Sequence, residues 1–269
     1  MSVHDRRERF RDLHQREGIF LMPNAFDAGS TRLLTSIGFE ALATTSAGFA
    51  WSLGRGDQQI TRDELVEHVR ALAAATELPL SVDSERGFGE TPDEVAETVR
   101  RLAAAGAAGC SIEDYDPMAD AIDPVERASE RVAAAAAAAH HDGLVLTARA
   151  ENLLHGVDDL ADTIARLRAY RAAGADVVYA PGLESMAEIS AVVTQVDAPV
   201  NVLMLPGVPR VDELQQLGVR RVSTGSLLTS VAYGGMLRAA RELLDLGTPG
   251  YARGGLTADD KAAFGRDSP

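Results

Sequence analysis

One repeated unit limits what this chain can fold into: a helical stretch rich in Ala, Leu and Arg, a glycine, a short apolar run, then a polar cluster. The glycines are Gly38, Gly106, Gly174 and Gly218. Each stands where a helix C-terminus takes a left-handed residue, a conformation that glycine adopts without steric cost. The runs that follow, Phe39 to Thr44, Ala107 to Ile112, Ala175 to Tyr179 and Val219 to Val222, have strand length. Ile19 to Met22, Leu80 to Asp83, Leu144 to Ala148 and Val200 to Leu203 match them and bring the count to eight. Helix starts lie between the runs. Thr61-Arg62-Asp63-Glu64, Thr91-Pro92-Asp93-Glu94 and Asp123-Pro124-Val125-Glu126 each combine a capping side chain with acids in the first turn. Strands alternating with helices imply a parallel sheet. Eight such units in 269 residues favour an α/β fold closed as a (β/α)8 (TIM) barrel over an open doubly wound sheet. No Gly-x-Gly-x-x-Gly follows the first strand to mark a dinucleotide site. Residues 1–246 read as one barrel domain and 247–269 as a small, polar tail.

The polar clusters sit where barrel enzymes build their sites, after the strand C-termini. Leu80-Ser81-Val82-Asp83-Ser84-Glu85-Arg86-Gly87-Phe88-Gly89 ends an apolar run in two carboxylates one residue apart. Continued as a strand, Asp83 and Glu85 would face one point, and like charges so close repel unless a cation or a shared proton sits between them. Oxygen ligands of this kind suit a hard divalent ion such as Mg²⁺, directly or through water. Glu113-Asp114 and Arg149-Ala150-Glu151-Asn152 follow later strands and add to the acid. Arg149 brings a planar, permanently charged donor fork suited to a carboxylate or developing oxyanion.

Charge and composition remove other classes. A net charge of -14 argues against a nucleic-acid partner. No apolar run reaches the ~20 residues of a membrane span, and Met1 to Gly18 has no signal-peptide core. A cytoplasmic enzyme is the expectation. Cys110 is the only cysteine, so no intrachain disulfide or Cys-rich zinc site forms, and the thiol is expected to point into the core. Lys261 is the only lysine and lies in the tail, which removes Schiff-base chemistry from the barrel.

Several stretches together resemble the isocitrate lyase and phosphoenolpyruvate mutase superfamily. They are Met22-Pro23-Asn24-Ala25-Phe26-Asp27, Thr45-Ser46-Ala47-Gly48, the Asp83 to Gly89 element, Ile112-Glu113-Asp114 and Ala148-Arg149-Ala150-Glu151. The resemblance implies a Mg²⁺-dependent barrel (Mn²⁺ being the alternative ion), usually a homotetramer with the last helix swapped between subunits. Members make or break a C–C or P–C bond beside a 2-oxo acid through a metal-bound enolate. Carried over by position, it assigns Asp83, Glu85 and Glu113 to the metal and its waters, and Ser46 with the backbone at Ala47 and Gly48 to the substrate carboxylate. It pairs Arg149 with an anionic substrate oxygen, sets Asp57 near the metal, and puts Asn201 and Thr224 on the far wall.

One departure separates this chain from the isocitrate and methylisocitrate lyases. They carry a Lys-Lys/Arg-Cys-Gly-His motif after the fourth strand, whereas Asp114 to Asp123 here has no Cys, His or Lys. The Lys, Asn and Ser of the phosphonopyruvate-type mutases are missing too. Tyr115, Glu151 and His155 remain as candidate proton donors. The expected activity is cleavage of a C–C bond in a small 2-oxo acid or 2-hydroxy dicarboxylate, with P–C chemistry or non-catalytic 2-oxo acid binding as alternatives. His140 and His141 are expected to serve a helix C-terminus, and Phe49 and Trp51 either to shape the pocket or to pack.

Overall fold

All eight expected strands form, in a computed structural model that describes residues 1–265. The last positions of the expected tail, 266–269, lie outside the described residues. In chain order the strands are β1 (Phe20–Met22), β2 (Asn24–Ala25), β3 (Leu42–Thr44), β4 (Leu80–Asp83), β5 (Gly109–Glu113), β6 (Tyr115–Asp116), β7 (Ala121–Ile122), β8 (Val145–Arg149), β9 (Val177–Tyr179), β10 (Val200–Leu203) and β11 (Arg221–Ser223). All but β6 and β7 belong to one sheet in the order β1-β11-β10-β9-β8-β5-β4-β3-β2. The ends of that order, β1 and β2, are two halves of one stretch interrupted by Pro23. One half pairs with β11 and the other with β3, both parallel, so the barrel closes through the chain itself.

The helices are α1 (Val3–Gln15), α2 (Ala28–Ile37), α3 (Ser46–Ser52), α4 (Arg62–Ala74), α5 (Pro92–Ala104), α6 (Val125–His141), α7 (Leu160–Ala172), α8 (Met186–Gln195), α9 (Val211–Gln216), α10 (Leu227–Leu246) and α11 (Ala258–Ala262). Thr61 and Thr91 cap α4 and α5 in reciprocal boxes with Glu64 and Glu94, as their spacing predicts. The four repeat glycines all have positive φ, from +90° to +108°. At Asp123 the expected cap does not form. Pro124 takes the cap position without a side-chain bond, because the Asp123 carboxylate is held by Arg86, at 3.0 and 3.1 Å.

Alternation along the strands sorts the side chains. Val82, Cys110, Ile112, Leu146, Ala148, Val178, Val202 and Val222 join one buried cluster with Val95, Val99, Leu102, Val132 and Leu167 of the helices. The intervening residues, among them Ser81, Asp83, Ser111, Arg149, Asn201, Arg221 and Ser223, line the barrel interior. Below them α1 plugs the N-terminal end, with Phe10 and Leu13 packed in a second cluster with Phe20, Met22, Val145 and Val177. Arg7 fastens this plug by donating to the carbonyls of Ala103, Ala107 and Asp142.

The region after α10 has structure that its small, polar composition did not announce. A 3-10 turn spans Gly250–Gly254, α11 follows, and Ala263 is buried.

Candidate active site

Three strand ends bring charge to one rim. Asp83 closes β4, Glu113 closes β5, Arg149 closes β8, and Glu151 follows two residues later. The Arg149 guanidinium is their common partner: Nη1 is 2.7 Å from Asp83 Oδ1 and 3.1 Å from Glu113 Oε2, while Nε is 2.8 Å from Glu151 Oε1. Beneath it lies the Tyr179 ring, with Arg149 Cζ 5.4 Å from the centroid, within cation–π range. Burial and the neighbouring acids push the Glu113 carboxyl well above its ordinary range, with Arg149 opposing them. Burial also raises Glu151, against the same guanidinium.

Glu85 reaches this group by a route that strand alternation did not foresee. β4 ends at Asp83, and Glu85 sits in a left-handed turn with φ of +48°. Its Oε1 is buried without a hydrogen-bond partner. Burial first, then the charges of Asp83 and Asp57, push its carboxyl up to about 8. Asp57 lines the cavity mouth, its carboxyl raised by burial and by Asp83. Three carboxylates therefore contact one guanidinium, Glu85 and Asp57 feel its charge without touching it, and one buried carboxylate oxygen of Glu85 lacks any donor. This excess of hard oxygen fits a divalent cation. Among the described residues no three His, Cys, Asp or Glu side chains converge as a ready-made metal cage.

The expected substrate-binding residues divide. Ser46 and Ala47 line the cavity, but the Ser46 amide and hydroxyl both donate to Asp83 Oδ2 at 2.9 Å. Gly48 lies away from it: its amide donates to the Thr45 cap, and a Cβ there would stand 2.5 Å from Thr229 Oγ1 of α10. Thr224 belongs to a clasp instead of the wall, accepting from the Asn24 amide while Asn24 Oδ1 accepts from the amides of Thr224 and Gly225. Asn201 does line the cavity, with both ends of its amide engaged by Arg221 and Ser223.

Of the candidate proton donors, only Glu151 is in the charged cluster. Tyr115 and His155 stack on each other, centroids 3.7 Å apart, and Tyr115 donates to Asp120. The acidic segment after β5 is a pinned hairpin, β6 to β7. Arg86 grips Asp123 from one side and Asp116, at 3.2 Å, from the other. Arg131 in turn ties the carbonyls of Arg86, Gly89 and Glu90. Cys110 is fully buried, its thiol pushed up to about 12 by desolvation. Phe49 packs on His68 and does not line the cavity. His140 contacts Asp176 at 3.1 Å.

Sequence reasoning gave no site role to Gln58, Tyr179, Arg221 or Ser223. Gln58 Nε2 donates to Glu113 Oε1 at 3.0 Å, and Tyr179, Arg221 and Ser223 line the cavity of about 180 Å³ inside the barrel. For the three cavity residues a signal existed: Tyr179 ends an apolar run, Arg221 interrupts one and Ser223 follows it, all at inward positions where barrels place residues of their sites.

Comparison with known proteins agrees with this geometry. A Burkholderia cenocepacia J2315 protein provisionally described as a lyase/mutase superposes with a TM-score of 0.94 at 50% identity, covering 98% of this chain and 97% of that one. Oxaloacetate acetylhydrolase in complex with its product oxalate superposes with a TM-score of 0.86 at 25% identity, over 96% of this chain and 93% of that one. Oxaloacetate decarboxylase of Paraburkholderia xenovorans LB400 is 33% identical over 231 residues, 82% of this chain and 75% of that protein. The family model for phosphoenolpyruvate phosphomutase matches residues 10–244. Barrel, rim and relatives agree: the chain is an enzyme of the phosphoenolpyruvate phosphomutase family, within the phosphoenolpyruvate mutase/isocitrate lyase superfamily.

Proposed function

We propose that the protein is a divalent-metal-dependent lyase that breaks the C–C bond beside a small 2-oxo acid, and that oxaloacetate decarboxylation is the reaction its site suits best. The observation that carries this reading is the Arg149 cluster combined with a hairpin that holds no Cys, His or Lys. Retro-aldol cleavage of a 2-hydroxy dicarboxylate needs a base for the hydroxyl proton and an acid for the product carbon. A 2-oxo acid carrying a carboxylate on C3 needs less. Its C3–C4 bond breaks to release CO2, the electron pair moves into the enolate of pyruvate, and one proton then adds to C3. A charged rim with one proton donor can support that sequence without a Cys, His or Lys from the hairpin. Relatives named oxaloacetate decarboxylase, at 30 to 33% identity, favour the same substrate class.

The ion, Mg²⁺ or Mn²⁺, would be held by Asp83, Glu85 and Glu113 directly or through water, and would supply a Lewis acid for the 2-oxo acid oxygens. Arg149 then orients an anionic oxygen of the substrate. Ser46 fixes the Asp83 carboxylate. Asp57 stands at the mouth, and Glu151 holds the Arg149 fork and is the proton donor in this reading. Residues 1–246 act as one catalytic domain, with the tail from 247 as an accessory segment. Among the described residues no helix is long and apolar enough to cross a membrane. The reading sets the enzyme in the cytoplasm as a homo-oligomer, with no nucleic-acid partner.

Incubation with oxaloacetate and Mg²⁺, with pyruvate formation followed against a metal-only control, tests the proposal. Turnover abolished by EDTA is expected, and pyruvate at the control rate with either ion rejects it. The family-model match favours P–C chemistry as a second reading. Phosphonopyruvate in the same assay, with phosphate and phosphoenolpyruvate monitored, separates the two.

A further inference from the structure

Below the charged rim the cavity ends on a cation without a carboxylate. Arg221, at the start of β11, is 2% exposed and lines the cavity. It donates through Nε to Asn201 Oδ1 at 2.8 Å, through Nη2 to Thr147 Oγ1 at 3.0 Å, and through Nη1 to His14 Nε2 at 3.1 Å. All three partners are neutral. Burial lowers this guanidinium to about 9, so it stays a cation at neutral pH.

An arginine can only donate, and that fixes every proton around it. His14 Nε2 must accept, so Nδ1 carries the hydrogen and donates to the Phe10 carbonyl at 2.7 Å. Asn201 Oδ1 must accept, which removes the usual ambiguity of an amide flip. Asn201 Nδ2 is then the donor to Ser223 Oγ, at 2.9 Å. Ser223 receives a hydrogen from Asn201, so its own must go to a different acceptor. That hydrogen is not used in the Arg221 and Asn201 chain. Tyr179 and Ser223 both line the cavity.

We infer that Ser223, and not Asn201, is the substrate-contacting donor on the inner wall, offering its hydroxyl hydrogen to an oxygen of a bound 2-oxo acid or dicarboxylate. Arg221 and Asn201 are positioning residues that set the direction of that hydrogen. The inference rests on the functional reading above for its ligand class. Asn201 has neither end of its amide free for a ligand, whereas Ser223 accepts from Asn201 and keeps its own hydrogen to donate. The barrel floor thereby transmits an orientation from the α1 plug to the substrate.

Titration calorimetry with oxalate in the presence of Mg²⁺ reads this without requiring turnover. Ser223→Ala should weaken oxalate roughly 10- to 100-fold, the range for a hydrogen bond to a charged group, while Ser223→Thr restores binding. Asn201→Asp accepts from Arg221 and draws the Ser223 hydrogen away from the cavity. It should therefore lose affinity although Ser223 is intact, and adding Ser223→Ala should cost little more. Oxalate binding by Ser223→Ala within twofold of the unaltered protein overturns the inference, as does full additivity of the two substitutions. If Asn201→Asp does not fold, the Ala and Thr variants at 223 decide alone. Failure of the unaltered protein to bind oxalate overturns the functional reading and this inference together.

Discussion

Arg149 Nη1 lies 2.7 Å from Asp83 Oδ1, so the carboxylate at the end of β4 is already neutralised by a side chain from β8. The same nitrogen reaches Glu113, and the contact with Glu151 holds the fork from its other edge. Arg149→Lys keeps a charge but loses the planar fork, so it cannot serve three carboxylates in this geometry. We expect kcat/KM for oxaloacetate to fall by roughly 10²- to 10³-fold, the usual loss for a donor aimed at developing charge. A lysine variant retaining more than a third of the activity would remove Arg149 from the reaction.

Metal binding is separable from turnover. A ligand that binds only the folded state stabilises it by about 2.7 kcal/mol at a concentration of 100 Kd. Mg²⁺ should therefore raise the melting temperature of the unaltered protein, and Asp83→Asn should abolish most of that rise. Differential scanning fluorimetry across a Mg²⁺ titration is the measurement. An equal rise in the variant would place the ion elsewhere.

The hairpin β6 to β7 is held by buried charge. Arg86 and Asp123 are 7% and 2% exposed and meet through two hydrogen bonds, and breaking such a pair from one side costs about 3–5 kcal/mol. Asp123→Ala should lower the denaturation midpoint and open the hairpin to limited proteolysis near Met118, which is 89% exposed. Proteolysis unchanged at that site would mean that the Arg86–Asp116 pair and the Tyr115–His155 stack hold the hairpin without Asp123.

Much of this fold was legible because local chemistry and tertiary structure agree. Thr61 and Thr91 cap the helices that their own sequence proposes, and the repeat glycines end helices wherever an apolar run follows. Two of the misreadings share a cause, a partner distant in sequence. Asp123 looks like a helix cap until Arg86, 37 positions away, takes its carboxylate. Thr224 looks like a wall residue until Asn24, 200 positions away, claims it. Glu85 reaches the rim through a left-handed turn that period-2 alternation cannot express. Pairs of this kind are set by barrel closure, and a linear pattern carries no record of them.

α10 is 20 residues long, yet Thr229 is its one buried residue. Val231, Met236, Leu243, Leu244 and Leu246 are 54 to 84% exposed, a large apolar surface for an isolated chain. If the last helix docks on a neighbouring subunit, Leu244→Asp combined with Met236→Asp should convert an oligomer to a monomer in light scattering coupled to gel filtration. A monomeric unaltered protein at micromolar concentration, or an oligomer that survives both substitutions, would contradict the swapped arrangement.

Two histidines make the fold acid-sensitive. His14 is lowered from 6.5 to about 3 by burial and by Arg221, and His68 from 6.5 to about 4 by burial beneath Phe49. The unfolded chain takes up protons at both sites as pH falls below 6.5, and the folded chain does not, so stability is present above 6.5 and is lost as pH drops toward 4 and 3. Each group can contribute a slope of up to about 1.4 kcal/mol per pH unit in that window. Glu85 acts in the opposite sense, since a carboxyl raised to about 8 favours the folded state as pH falls through that value. A comparison between variants therefore isolates the histidines better than an absolute curve. His68→Gln should flatten the difference in urea-unfolding free energy between pH 7 and pH 5 relative to the unaltered protein, leaving the His14 share. An unchanged difference would mean that His68 is protonated in the folded state, against its burial.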